Sequence, residues 1–258
     1  MERGRDVKRV GLARALSKLG YCSRSRAIEL ICAGRVQLNG AIRRDPETPV
    51  YVDRDRIEVD HRIVGEVAKV YLMLNKPRGV VTTASDERGR DTVYSCLSAG
   101  LPWVAPVGRL DKASEGLLLL TNDSEWAARI SDPETHLDKT YHVQVGAMVD
   151  ATLVTAMTNG VRAVNGEVLR AKQARMLRSG QMNTWLEIVL DEGKNRQIRR
   201  MLEVSDIEVL RLVRVAVGPL VLGKLAKGNC RRLSSEEKRS LDRAMNTLRT
   251  RPVINVLH

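Results

Sequence analysis

Two charged residues separated by one position, Arg109 and Asp111, stand shortly before an apolar run, Leu117–Leu120. In an extended chain their side chains would point to the same side. A carboxylate can attack or stabilise an electron-poor carbon. This stretch is therefore a candidate for carboxylate chemistry. The alternative interpretation is a polar turn in front of a core strand.

Two other stretches carry polar groups suited to chemistry. The stretch from Lys139 through Tyr141 stands at the start of a predicted strand and carries a phenol. Arg196, Arg199 and Arg200 belong to a loop that leads into a helix, where Arg199 lies at the edge of the apolar face. An arginine at such an edge can reach a cleft while its stem stays packed. The alternative for these arginines is a solvated helix face.

The basic residues of this chain are concentrated in two blocks. The 258 residues carry a formal net charge of +12. Residues 1–44 hold 11 Lys or Arg against 3 Asp or Glu, and residues 193–232 hold 10 against 3. This balance favours a polyanionic partner, with nucleic acid first. The alternative is a solvated basic surface.

The cysteine and histidine patterns indicate neither a disulfide framework nor a metal centre. The four cysteines form no C-x-x-C pair, and the four histidines lack metal-ligand spacing. The N-terminal residues lack the apolar segment of a secretory signal, and no apolar run approaches the ~20 residues of a membrane span. We therefore expect reduced thiols, no metal, no membrane association and a cytoplasmic location.

A small unit over residues 8–62 begins with two helical patterns, followed by strand and turn signals. Asn39-Gly40 indicates a type I′ hairpin. About 50 residues form only a marginal core. We predict a small helix-helix-hairpin domain appended to the rest of the chain. The apolar positions of its two helices are Leu12, Leu16, Ile28 and Ile31.

A larger unit over residues 69–245 combines many strand patterns with a few helices, and a tail over 246–258 follows. Adjacent strands with few helices indicate an α+β domain with a mainly antiparallel central sheet flanked by helices. The predicted helices run through Trp126 and Ile130, over Asn195–Val204, and after Ser234. The predicted strands are Val70–Leu74, Val80–Thr83, Leu117–Leu120, Tyr141–Val145, Trp185–Leu190 and Ile207–Val217.

Both units resemble known domains. The larger unit resembles, motif by motif and in the same order, the RsuA-type family of bacterial ribosomal RNA pseudouridine synthases. The small unit resembles the RNA-binding domain shared with ribosomal protein S-four, through Ser23–Arg26 and Gly34–Gly40. The motifs of the larger unit are Leu74–Gly79, Gly108–Thr121, Lys139–Tyr141, Glu192–Met201 and Gly218–Gly223.

This resemblance implies an enzyme that breaks the C1′–N1 bond of a uridine, turns the base and rejoins it through C5. Asp111 would be the catalytic carboxylate, which either attacks the sugar or abstracts a proton towards a glycal-type intermediate. Arg199 would be its cationic partner. Tyr141 would pack beside the uracil and is a candidate base for the C5 proton, while Arg109 would help hold the RNA open. The reaction involves no redox step and no hydrolysis, so we expect neither a cofactor nor a metal.

The expected partner is ribosomal RNA, bound by a monomeric enzyme. The segment Asn195–Arg200 favours large-subunit RNA. The alternatives are a non-catalytic RNA-binding assembly factor and a DNA-binding regulator, and the intact set of Asp111, Tyr141 and Arg199 favours the enzyme. The N-terminal basic residues should contact phosphates. The predicted RNA-binding residues are Arg109, Lys139, Arg196, Arg200, Lys18, Arg24, Arg26 and Arg35.

Overall fold

The computed structural model describes residues 9–65, 67–84, 86 and 88–249. The chain forms two compact units. The first unit reaches Tyr71 and also contains Ser98–Ala105 and Leu120–Ser124, and the second holds Leu72–Leu97, Pro106–Leu119 and the described residues from Glu125 onward. None of the helices in the described ranges has the length and apolar character needed to span a membrane.

The first unit packs two helices against short antiparallel strands. The second helix starts where the Ser23 hydroxyl accepts a hydrogen bond from the Arg26 amide at 3.1 Å. The elements are β1 Val10–Gly11, α1 Leu12–Lys18, α2 Arg24–Cys32, β2 Val36–Leu38, β3 Ala41–Arg43, β4 Pro49–Val50, β5 Ile57–Val59 and β6 Arg62–Ile63. The sheet order is β3-β2-β5-β6, and β1 pairs with β4. The tight connection between β2 and β3 contains Asn39 and Gly40 with φ of 53° and 82°, as a type I′ turn requires.

One predicted core position of the first unit is wrong. Ile28 is 41% exposed, whereas Ala27, Leu30 and Ile31 are buried. The buried stripe of α2 follows the i, i+3, i+4 spacing from Ala27. Ile28 is one residue, about 100°, off that stripe.

The second unit is built on a large mixed sheet. The strands of the second unit are β7 Tyr71–Lys76, β8 Ala105–Val107, β9 Glu115–Thr121, β10 Lys139–Val145, β11 Val161–Arg162, β12 Val168–Leu169, β13 Gln173–Ser179, β14 Thr184–Leu190, β15 Val209–Val217, β16 Leu220–Val221 and β17 Cys230–Arg232. The strand order of the large sheet is β13-β14-β10-β15-β9-β7-β17, with β16 paired to β15 and β8 to β9. The strand pairs β10/β14, β10/β15, β13/β14 and β7/β17 are antiparallel, whereas β9 and β15 are parallel. The helices are α3 Ser124–Ser131, α4 Ala151–Asn159, α5 Gln197–Glu203 and α6 Ser235–Arg249.

The core of the second unit lies between one face of this sheet and two helices. Val143 on β10 and Ile188 on β14 are fully buried against Met157 of α4 and Met201 of α5. The alternation of buried and partly exposed residues along β14 places every second side chain in this core. Ile198 and Met201 of α5 belong to the same core, so the position of α5 follows from core packing.

Several predicted elements of the second unit agree with the structure and one does not. All seven residues of β9 are buried, as predicted for the leucine run. The predicted strand Val80–Thr83 is wrong, because Val81 forms only an isolated bridge with Thr92. The reason is that the Thr82 hydroxyl turns inward and donates to the Leu110 carbonyl oxygen at 2.7 Å.

The longest elements that were not predicted are α4 and β13. The first is rich in β-branched residues, and the second alternates poorly and is largely exposed. At the start of α6, Ser234 and Glu237 exchange the two hydrogen bonds of a capping box, at 3.1 and 2.8 Å. This helix continues to Arg249, and residues 250–258 of the predicted tail lie outside the described residues.

Candidate active site

The loop that carries Asp111 is held by its backbone. It connects β8 to β9, and five consecutive carbonyl oxygens in it, from Leu110 to Ser114, all accept hydrogen bonds from other segments. A segment with every carbonyl satisfied in this way is fixed in position without using its side chains. The donors, in chain order of the carbonyls, are Thr82 Oγ1 at 2.7 Å, Lys76 Nζ at 3.1 Å, the Gly79 amide at 2.8 Å, Arg199 Nη2 at 3.3 Å and Lys76 Nζ again at 2.9 Å.

Lys76 is the central donor of this arrangement. Its side chain is fully buried at the end of β7, and Nζ also donates to the Pro77 carbonyl oxygen at 3.1 Å. Burial lowers the pKa of Lys76 to about 8, against an opposing effect of the Asp111 carboxylate. Lys76 is not among the site residues predicted from the sequence. The signal that could have identified it is its place in the buried register of Leu72 and Leu74.

Asp111 lines a cavity of about 680 Å³ in the second unit. Its carboxylate accepts no hydrogen bond and forms no ion pair within 4.0 Å among the described residues, although its backbone is firmly held. Tyr141, half-buried on β10, lines the same cavity and packs against the core. The structure therefore brings the predicted carboxylate and the predicted phenol to one cavity.

Arg199, a residue of α5, is hydrogen-bonded to the Asp111 loop. Its guanidinium donates to the carbonyl oxygens of Ala113 and Val209, both at 3.3 Å, and its Nε is buried without a partner. Burial and the nearby Arg196 lower the pKa of Arg199, and the negative charge of Asp111 opposes this. In the described structure the two groups form no ion pair within 4.0 Å. Arg199 thus fixes the Asp111 loop through the backbone, and its charge acts on the carboxylate through space.

The predicted RNA-binding residues of the second unit have different surroundings. Arg109 is exposed, Lys139 is partly buried, and both line the cavity. Arg196 also lines it, but it precedes α5 with a φ of 49° and is not on the helix face where it was predicted. Arg200 forms an ion pair with Glu167 at 2.7 Å, and neither residue lines the cavity.

The predicted RNA-binding residues of the first unit lie on or beside its two helices. Arg24 is exposed and forms no ion pair within the described ranges. Arg26 pairs with Glu29 at 2.7 Å, and Arg35 pairs with Asp60 through two hydrogen bonds. Lys18 is partly buried in the last turn of α1.

Comparison with known proteins assigns the two units. Residues 70–204 match the family of RNA pseudouridylate synthases. The chain belongs to this family. Residues 10–57 match the S4 domain. The synthase is therefore an isomerase that acts on RNA, and both predicted resemblances are confirmed.

Individual relatives cover almost the whole chain. A protein of Rickettsia typhi, described as an uncharacterized RNA pseudouridine synthase, is 37% identical over 226 residues, which is 87% of this chain and 92% of the relative. The ribosomal large subunit pseudouridine synthase B of Bacillus subtilis is 35% identical over 231 residues, or 89% of this chain and 94% of the relative. A crystal structure of a pseudouridylate synthase superimposes with a TM-score of 0.64 at 28% identity, covering 90% of this chain and 99% of the other.

Proposed function

We propose that this synthase converts a specific uridine of ribosomal RNA to pseudouridine, with Asp111 as the catalytic carboxylate. The supporting observation is the contrast between backbone and side chain in the Asp111 loop. Five carbonyls are held by hydrogen bonds, while the Asp111 carboxylate, in the lining of the cavity, has no hydrogen-bond or ion-pair partner among the described residues. Such pre-organisation positions a reactive group without consuming its charge.

The reaction exchanges one bond at C1′ for another. The C1′–N1 bond breaks, a C1′–C5 bond forms, C5 loses a proton and N1 gains one in the rotated base. Asp111 acts in its ionised form, either by attack on C1′ or by proton abstraction towards a glycal. Both routes build positive charge on the sugar, which a carboxylate stabilises. The through-space charge of Arg199 supports ionisation of Asp111.

Tyr141 is assigned to packing against the uracil, and its phenol is the candidate acceptor of the C5 proton. The target base must leave the RNA stack to reach the cavity, at a cost of a few kcal/mol. Arg109, exposed beside Asp111, is placed to hold the RNA open after this step. No residue of this scheme requires a cofactor or a metal.

Ribosomal RNA is the proposed substrate, and the large-subunit RNA is favoured. The Bacillus subtilis relative is named for the large ribosomal subunit, and the first unit matches the S4 domain. We place the reaction in the cytoplasm, where ribosomal RNA is made. The residues assigned to RNA contacts are Arg109, Lys139, Arg196, Arg200, Lys18, Arg24, Arg26 and Arg35.

The test compares the wild-type enzyme with Asp111→Asn on unmodified ribosomal RNA transcripts labelled with tritium at C5 of uridine. The amide keeps the volume of the carboxyl group and removes its charge, so we expect loss of tritium release with unchanged RNA affinity and unchanged unfolding. Mapping of pseudouridine in the large- and small-subunit transcripts identifies the target. Normal tritium release by Asp111→Asn would contradict the assignment of the carboxylate.

A further inference from the structure

A β-bulge determines which face of the sheet Arg214 occupies. On β10 and β15, Thr140 pairs with Ala216, but Tyr141 pairs with Arg214, so Val215 is an extra residue in β15. Without this bulge, Tyr141 would pair with Val215, and Arg214 would lie on the opposite face. The bulge therefore moves a guanidinium to the face of Tyr141. Bulges are frequent beside active sites, where they re-aim a side chain.

Arg214 and Lys139 consequently line the cavity from the same side of the sheet. Arg214 is 7% exposed, and its Nε donates to the Leu117 carbonyl oxygen at 2.7 Å. This bond fixes the plane of the guanidinium, while both Nη atoms make no hydrogen bond in the described structure and are not sealed from solvent. Lys139 lies two residues before Tyr141 on β10, so both side chains are on one face.

These two cations lack a carboxylate partner in the described part of the chain. Neither forms an ion pair within 4.0 Å among the described residues. Two carboxylates act on Lys139 through their charge: Asp138 binds Lys172 with both oxygens at 2.8 Å, and Asp191 lies 3.9 Å from Nδ1 of His136. Burial and the positive charge of Arg214 lower the pKa of Lys139, and the negative charges of Asp138 and Asp191 oppose this. A buried guanidinium close to a partly buried ammonium is costly to hold. An anion placed between them would remove that cost.

We propose that Lys139 and Arg214 form a binding site for a backbone phosphate adjacent to the flipped uridine. This inference rests on the proposed function and specifies how the same cavity holds its substrate. Phosphate is favoured over the uracil carbonyls because the site has two positive charges, and the base is neutral. The fork of an arginine and the point charge of a lysine are both suited to phosphate oxygens. The bound phosphate fixes the sugar relative to Asp111.

The experiment measures kcat/KM and its salt dependence on unmodified large-subunit ribosomal RNA transcripts. Arg214→Met and Lys139→Gln should each lower kcat/KM about 10- to 100-fold, and each should reduce the slope of log(kcat/KM) against log[salt] by ~0.7–0.9, the value for one lost phosphate contact. Arg214→Lys keeps the charge and should retain the salt slope. The control is Arg178→Met, which removes an exposed charge from β13 over the ring of Trp185 and should change neither quantity.

The outcomes separate this inference from the proposed function. If the wild-type enzyme modifies the transcript but both variants keep the wild-type salt slope, the phosphate site is refuted and the function stands. A lower kcat/KM without a change of slope would show that Arg214 acts only by supporting β9 and β15. If Arg214→Met does not fold, Lys139→Gln decides the question, because the Lys139 side chain makes no hydrogen bond in the described structure. If the wild-type enzyme forms no pseudouridine in either ribosomal RNA, the proposed function fails first.

Discussion

Replacement of Lys76 by methionine should make the stability of the enzyme respond differently to pH. Burial lowers the pKa of Lys76 from 10.5 to about 8. Below pH 8 both the folded and the unfolded chain hold this proton. Between pH 8 and 10.5 the folded protein releases it first, so the unfolded chain binds more protons and the folded state gains stability as pH rises. At about 1.36 kcal/mol per pKa unit, the full gain is about 3 kcal/mol.

Methionine removes this titration and leaves the other ionisable groups in place. The free energy of unfolding of the wild-type protein, minus that of Lys76→Met, should therefore rise by about 2–3 kcal/mol from pH 7.5 to pH 10. Cys22, Cys230 and Tyr94, whose pKa values are raised by burial, are present in both proteins and cancel in this difference. This difference in unfolding free energy rises with pH only if burial lowers the pKa of Lys76 in the folded protein.

The assay is urea unfolding at several pH values under reducing conditions, followed by tryptophan fluorescence. Trp126 and Trp185 both belong to the second unit, as Lys76 does. Lys172→Met is the matched control, because Lys172 is a partly exposed lysine in an ion pair with Asp138. A difference between wild type and Lys76→Met that stays constant with pH would refute the buried-charge reasoning. Reduced turnover of Lys76→Met at pH 7.5 would in addition support its role in holding the Asp111 loop.

Three further changes have expected outcomes. Gly116→Ala should destabilise the protein by about 3 kcal/mol or more, because φ is +103° and the new Cβ would overlap the Arg214 carbonyl oxygen. The control Gly79→Ala, with φ +96° and open space around it, should cost about 1–2 kcal/mol in the same unfolding assay; equal costs would contradict the packing argument. Arg199→Met should lower kcat about 100-fold with little change in RNA affinity, and full activity would show that it is not needed to fix Asp111. Arg24→Gln should reduce the salt slope of RNA binding by ~0.7–0.9, and an unchanged slope would place Arg24 outside the RNA interface.

Local patterns in the sequence predict those elements whose formation depends on neighbouring residues. The leucine run of β9 indicates a strand that is buried on both faces, and the alternation in β10 indicates a strand with one buried face. Ser234 and Glu237 indicate the start of α6, because both capping bonds lie within one turn. The motif around Arg109 and Asp111 likewise identifies the family from the sequence. Exposed β13 has no such pattern, and it forms because it pairs with β14.

The arrangement around Asp111 depends on contacts between residues distant in sequence. Lys76 is 35 residues from Asp111, and Thr82 is 28 residues from Leu110. No spacing rule predicts that these side chains hold one loop, because their proximity arises when β7 and β9 enter the same sheet. The same is true of Val80–Thr83. Its sequence is typical of a strand, but the segment forms a loop because the Thr82 hydroxyl donates to the distant Leu110 carbonyl oxygen.

The position of Arg214 shows most clearly what sequence and tertiary structure each determine. The alternation of β15 indicates a strand, but it does not show which face the arginine takes. That face is set by the single extra residue in the pairing with β10. A bulge is a property of two paired strands, and β15 contains no glycine that would mark one in its sequence. The sequence by itself thus determines the family and marks Asp111 as a candidate carboxylate, whereas only the tertiary structure decides which cations line the same cavity, because register and burial arise from pairing at long range.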